Sequence, residues 1–346
     1  MKKIRLISIV CIVFGGFALS CRRSVTAGSD YYVFDTTITL NAQLIRIDEL
    51  LKPVDLVLLD DYIVVVNEPN GDHPVFNVYT RADMTFLYGF GRQGKGPLEY
   101  ISFATPGHRS DNILPVYNNV SNTLVCYEIE DDGERVLSSL SVNKTTPGIM
   151  QRIVLVNDSV MLYSVLNNKG VGTYSFNLNT NEIIDTLDLI TPYRREHGIK
   201  FENYKFDYRD NALIAAFEYV DEIVRVEMTD DFHFSPSVVK LSHDDGPLDE
   251  VKMNNIAYFS YPYVGEKRIY AERIGRPMKE MQPFYPGRNF KFDIFVFDRE
   301  LQPLYRLKFD RNIIRFVVDE DANVLYSWDM MDAFDYIHRY SLPDME

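Results

Sequence analysis

From about residue 30 onward, apolar positions come in short runs rich in Val, Ile, Tyr and Phe, each ended by Asn, Asp or Gly. Sustained apolar spacing at the helical period is hard to find, so the pattern predicts strands. The segments "DLVLLDDYIVVVN", "FNVYTRADMTFLYGFG", "TLVCYEIEDDGERVLSSLSV" and "GTYSFNLNTNEIIDTLDLI" each read as two strands around a tight polar turn. Asp and Asn suit those turns because they tolerate left-handed backbone and bond their own main chain.

The hairpins group into units of roughly forty to fifty residues, a spacing that signals a propeller. The division is 51–100, 101–146, 147–191, 199–242, 252–310 and 311–345. Each unit begins with a more apolar strand and ends with a more polar one. The third shows it as "RIVLVND", "SVMLYSVLN", "GTYSFNLNT" and "EIIDTLDLI". The last unit is one strand short, and a spare pair stands at the other end in "YYVFDTTITLNAQLIRI". The expectation is an all-β, six-bladed β-propeller over 31–346, its last blade closed by an N-terminal strand so that no edge stays free. A seven-bladed ring and an open sandwich are the alternatives.

Composition supports strands: 23 Tyr and 22 Phe stand against a single Trp, and both favour half-buried pleated surfaces. Residues 1–20 read as a secretory signal, with Lys2, Lys3 and Arg5 ahead of an apolar run and small Ala18 and Ser20 before Cys21. "FALSC" resembles a bacterial lipobox with Ala18 in place of the usual larger aliphatic residue. It implies lipid on Cys21, a tether over 21–30 and a membrane-anchored envelope location. Arg22 and Arg23 favour the periplasmic side over the cell surface. An ordinary signal peptide cut near Ser20 is the alternative. Removing the first twenty residues takes the formal charge from −14 to −17. That argues against nucleic acid as a partner, since phosphate binding needs a basic surface. Cys126 would then be the one cysteine with neither signal nor lipid role, so neither an internal disulfide nor a Cys/His metal spacing is expected.

The stretch "YGFGRQGKGPLEY" fits G-x-G-x-x-G at Gly89, Gly91 and Gly94, and nearly fits a phosphate loop at Gly89, Gly94 and Lys95. A dinucleotide fingerprint must open a helix, yet Pro97 follows at once and "LEYISF" is not amphipathic. Gly96 stands where the phosphate loop needs Ser or Thr. The stretch reads instead as a crossover between the first two blades. There it resembles the "G-x-G-x-G-P-G-E-F" signature of six-bladed, TolB-like propeller lipoproteins of gut anaerobes, with Leu98 and Tyr100 as departures. The resemblance implies a fold and an envelope address and little about a reaction.

Candidate chemistry is sparse. Asp55, Glu218 and Asp319 are the acidic residues a channel metal would call on, and blade turns explain them as well. "DEDANVLY" has calcium-loop spacing at its start but lacks the required glycine and the final glutamate, so it fits a blade hairpin better. No histidine pair has zinc-protease spacing and no G-x-S-x-G elbow occurs. No cofactor or catalytic residue is assigned. The segment 265–291 reads as an insertion in the fifth unit, with seven basic and three acidic residues among interleaved aromatics. Tyr270, Arg273, Arg276, Lys279 and Arg288, with Arg92 and Lys95 from the glycine loop, are the candidate contacts for an envelope protein or a glycan. The function expected is a ligand- or protein-binding or scaffold module, with a metal-dependent propeller hydrolase or lyase acting on sugars or lactones as the alternative.

Overall fold

The computed structural model describes residues 33–49, 51–107, 111–143, 147–167, 170–189, 203–242, 254–281, 291–329 and 335–343. Strands dominate throughout, and the fold is an all-β propeller. The first sheet is a meander of Pro53–Leu58, Tyr62–Asn67, Phe76–Thr80 and Phe86–Phe90. An eight-stranded sheet follows, made of two meanders. One runs from Phe103–Pro106 out to Gly133–Ser141, and the other from Ile149–Asn157 out to Glu182–Leu187. They join through two parallel residue pairs, Thr105 with Arg152 and Pro106 with Ile153. The third sheet runs from Tyr204–Arg209 to Phe234–Ser242, the fourth from Ile256–Val264 to Pro303–Phe309, and the fifth from Ile314–Asp319 to Tyr336–Ser341.

The two N-terminal strands go to different sheets. Gln43–Arg46 pairs antiparallel with Tyr336–Ser341. Thr37–Leu40 instead pairs parallel with Pro303–Phe309, making that sheet five-stranded. The short link at Asn41 and Ala42 carries the chain from one sheet to the next, with the Ala42 N–H donating to Asp310 Oδ1 at 3.0 Å.

Burial falls from the first strands of a unit to the last. Tyr62–Asn67 and Ala212–Phe217 are buried at every position, whereas Gly133–Ser141 is mostly exposed. The apolar clusters lie between consecutive sheets. One joins Val64 and Phe76 to Val116 and Tyr127, and another joins Ile214 and Ile223 to Phe259 and Phe297. Such shared clusters make each sheet depend on its neighbours for burial. The tyrosines expected on pleated surfaces act as wedges in these seams: Tyr100, Tyr117, Tyr163, Tyr204 and Tyr340 are fully buried.

The glycine stretch links the first sheet to the second as a crossover. Arg92–Gln93 pairs parallel with Glu99–Tyr100 around a small loop. Gly91 has φ +67° and a Cβ there would meet the Phe76 ring at 3.0 Å, so the position needs glycine. The loop closes on the Glu99 carboxylate, which accepts the Gly96 N–H at 2.8 Å. An acid thus occupies the place a phosphate would need.

Candidate functional site at the propeller axis

The first strand of each repeating unit packs beside the first strand of the next, from Ile149–Asn157 through Tyr204–Arg209 and Ile256–Val264 to Ile314–Asp319, which reaches Pro53–Leu58. Asp55, Arg152, Asp207, Tyr261 and Arg315 each come from a different one of these five inner strands, and Thr105 comes from Phe103–Pro106, which pairs with Ile149–Asn157. Four of the six lie at irregularities of strand register. Pairing shifts between Pro53 and Asp55, Met150 and Arg152, Phe259 and Pro262, and Ile314 and Phe316. A bulge breaks the two-residue alternation and re-aims a side chain. Here it lets polar residues converge inside strands whose neighbours are apolar.

Arg152 is the hub, 5% exposed between Asp55 at 6% and Asp207 at 1%. Its Nη2 donates to Asp207 Oδ1 at 3.2 Å, and its Nη1 stands 3.9 Å from Asp55 Oδ2. Nη1 also donates to the Tyr261 hydroxyl. Asp55 Oδ2 accepts Thr105 Oγ1 at 2.7 Å and the Tyr261 hydroxyl at 3.4 Å, and Asp207 Oδ2 accepts the Val264 N–H at 2.9 Å. Burial by itself disfavours the Arg152 cation, but Tyr261, Asp207 and Asp55 outweigh it and hold the guanidinium above its ordinary pKa. Burial likewise pushes the Tyr261 phenol up to about 12, so it remains a donor at neutral pH. Gly107 gives the network its room: a Cβ there would meet Asp207 Oδ1 at 2.7 Å.

This arrangement spends its charges internally. Both carboxylates are engaged by the guanidinium, a hydroxyl or a main-chain N–H. Among the described residues no three His, Cys, Asp or Glu side chains gather as a metal-binding group. Of the acids the sequence put forward for a channel metal, Asp55 belongs to this network and the other two lie elsewhere. Asp319 is clamped by Arg81, whose Nε and Nη2 each reach it at 2.6 Å, and its Oδ1 also accepts the Ala322 N–H at 2.9 Å. That is the blade hairpin expected for "DEDANVLY", with Asn323 at φ +52°. Glu218 accepts from the Tyr219 hydroxyl at 3.0 Å and from Asn203.

The candidate contacts from the basic segment separate into two kinds. Tyr270 is fully buried with its hydroxyl on Glu320 Oε1 at 3.1 Å, and so is part of the core and no surface for a partner. Arg273 is likewise turned inward: its Nη2 pairs with Asp221 at 2.8 Å and its guanidinium lies over Tyr258 and Phe259. Both belong to a strand whose start is buried, which the charge of the segment conceals. Arg276 stands 3.7 Å from Glu280 and is partly exposed. Lys279 and Lys95 are exposed, and Arg92 is exposed and paired with Glu99 at 2.7 Å. Arg288 and Cys21 lie outside the described residues. Sequence reading missed Arg152, Asp207 and Arg315. Their one signal is a charged or polar residue inside an apolar first strand, which resembles ordinary in–out alternation.

No protein-family model matches the sequence, and no curated protein matches it. Solved structures do resemble the fold. A Bacteroides fragilis protein described as exported aligns over 88% of this chain and 99% of its own, with a TM-score of 0.52 and 10% identity. A member of the DUF4221 family from Bacteroides vulgatus aligns over 87% of this chain and 97% of its own, with a TM-score of 0.50 and 11% identity. At that identity the likeness is one of fold, and it extends over nearly the whole of both neighbours.

Proposed function

We propose that the chain is a lipid-anchored envelope protein, built as a six-bladed ring and acting as a binding or scaffold module. Six blades follow if the eight-stranded sheet is divided at its narrow join, where two residue pairs link two complete meanders. Gln43–Arg46 on Tyr336–Ser341 then serves as the N-terminal closure. The fold neighbour described as exported accords with the signal and lipobox read at residues 1–21. The observation that carries the binding reading is the axial network. A metal-dependent propeller hydrolase needs open carboxylates in the channel, whereas Asp55 and Asp207 are held by Arg152, Thr105 and the Val264 N–H. What the network provides is a stiff hub on which loops and clefts can present contacts. The exposed cations Arg92, Lys95 and Lys279 are the candidate contacts for a protein or glycan partner.

Thermal unfolding of the purified chain with calcium, zinc or a chelator tests this reading. No change in Tm is expected. A rise with metal that the chelator reverses would move the assignment to the hydrolase. Cys21→Ala is expected to abolish acylation and release the chain from membranes; a membrane-bound, acylated variant would remove the anchor from the account.

A further inference from the structure

Beside the axial network lies a cavity of about 230 Å3, bounded by inner strands of the third, fourth and fifth sheets. Its polar end is formed by Lys205, Ser260 and Arg315, and its apolar wall by Phe259, Ile274, Met278 and Met281. Met278 and Met281 come from a single 3-10 turn, Met278–Met281, that follows the strand Ile269–Pro277. It is smaller than the pockets of about 300–1,000 Å3 that take drug-sized ligands.

Arg315 is the unusual residue. Nine described non-glycine residues have positive φ; eight fall in hairpin turns and Arg315, at +52°, alone lies within a strand. Left-handed backbone in a long side chain costs stability and persists where the surroundings enforce it, often at functional sites. The register shift between Ile314 and Phe316 marks the same distortion. Its effect is to lay the guanidinium 4.1 Å from the centre of the Tyr261 ring and 3.3 Å from Ser260 Oγ, at the cavity wall.

The charge so placed is not neutralised. Among the described residues neither Arg315 nor Lys205 has a carboxylate within ion-pair distance; Lys205 Nζ donates to Gln151 Oε1 at 3.1 Å. Glu218, which also lines the cavity, is engaged by Asn203 and Tyr219. Glu272 is fully buried nearby, and burial pushes its carboxyl up to about 7, so part of it is neutral at physiological pH. Burial, and then the neighbouring Arg315 charge, push the Lys205 ammonium down to about 8. Two cations thus line a half-apolar cavity with no carboxylate in ion-pair contact among the described residues, although Glu218 acts on Lys205 and Arg315 on Glu272 at longer range. Charge paired at contact distance in the hub lies beside charge without such a contact here.

We propose that this cavity binds a small amphiphilic organic acid, its carboxylate between Lys205, Arg315 and Ser260 and its short hydrocarbon body against Phe259, Ile274, Met278 and Met281. The inference rests on the chain being a binding module and supplies the chemical class of ligand. Two cations and a hydroxyl suit a planar carboxylate, Arg315 by its fork of donors and Lys205 as a point charge. The methionines adapt to hydrocarbon bodies of differing shape.

Isothermal titration of the purified chain with hexanoate, hexanamide and inorganic phosphate tests the assignment. Saturable binding of hexanoate at one site is expected, with none of hexanamide. Lys205→Met should weaken it about ten- to a hundredfold, the loss of one charge-assisted hydrogen bond. Arg315→Asn should abolish it while leaving the fold intact, because Asn accepts left-handed backbone. Equal binding of hexanamide would make the cavity merely apolar. Phosphate displacing hexanoate at comparable concentration would make it a site for inorganic anions. Absence of hexanoate binding, or unchanged affinity in both variants, would also overturn the proposal. None of these outcomes touches the binding-module reading, which fails on chelator-reversible stabilisation instead.

Discussion

Two neighbouring regions of the inner ring use the same materials to opposite ends. In the hub, Arg152 sits between Asp55 and Asp207, and the carboxylates' remaining bonds come from Thr105, Tyr261 and main-chain N–H groups. In the adjoining cavity, Lys205 and Arg315 share a wall with no ion-paired carboxylate, and one of them is held in strained backbone. Asp55, Arg152 and Asp207 are buried, whereas Lys205 and Arg315 are only partly so. The second difference is whether the charge is paired at contact distance. A matched buried charge holds the fold together once formed, although forming it gains little over apolar packing. An unmatched one costs stability with no return inside the chain.

The comparison breaks most readily at the hub. Arg152→Leu strands two buried carboxylates and should destabilise the protein by about 3–5 kcal/mol, read from urea unfolding. Adding Asp207→Asn should recover part of that loss, and a double variant no better than the single would show that the two residues are uncoupled.

Glu272, buried beside Ser260 and Arg315, predicts a pH effect of known sign. Its folded pKa of about 7 lies above the ordinary value of 4.5, mainly through burial, with Arg315 and Ser260 acting against it. The folded state therefore holds this proton more tightly, and the associated stability is present below pH 4.5 and lost as pH rises through 7. Glu272→Gln keeps the neutral form, so above pH 7 the variant should exceed wild type by roughly 2–4 kcal/mol and match it near pH 4. Parallel stability profiles would show that Glu272 carries no such linkage.

The Arg81–Asp319 clamp is a less buried counterpart of the hub, its arginine partly exposed and its carboxylate buried. Burial alone would raise the Asp319 pKa, but Arg81 and the Ala322 N–H reverse it and hold the carboxyl below 3.8. That contribution is present above pH 3.8 and lost as pH falls through the depressed value. Arg81→Ala should cost about 1–3 kcal/mol at neutral pH and flatten the acid limb of the stability curve. At the surface the effect should nearly vanish. Arg92 is 68% exposed on the side chain, and Arg92→Ala should change stability by less than about 1 kcal/mol, so any loss of partner capture in that variant reports on contact alone.

Much of the architecture was legible in the sequence because strand alternation and turn residues are local. The hairpins expected at "DLVLLDDYIVVVN" and "GTYSFNLNTNEIIDTLDLI" form as Pro53–Leu58 on Tyr62–Asn67 and Gly170–Asn177 on Glu182–Leu187. The destination of Thr37–Leu40 was not legible, since parallel pairing on Pro303–Phe309 leaves no turn between the partners. The site was legible only at Asp55, and then as a metal ligand. Arg152 and Asp207 lie 55 residues apart and meet through ring geometry, and the bulges that aim Asp55, Arg152 and Arg315 have no residue type that announces them. The basic segment misled for a related reason: charge counts do not tell which arginines lie over aromatic rings inside, as Arg273 does, and which face water, as Lys279 does.

The measurement that tests the account most directly is a pair of urea unfolding curves, for Arg152→Leu and Arg315→Asn. If matched charge is structural and unmatched charge functional, the first variant loses about 3–5 kcal/mol. The second stays at wild-type stability or gains about 1 kcal/mol as the backbone strain is relieved. A loss at Arg315→Asn as large as that at Arg152→Leu would mean that the cavity cations hold the fold, and the distinction between the two regions would fall.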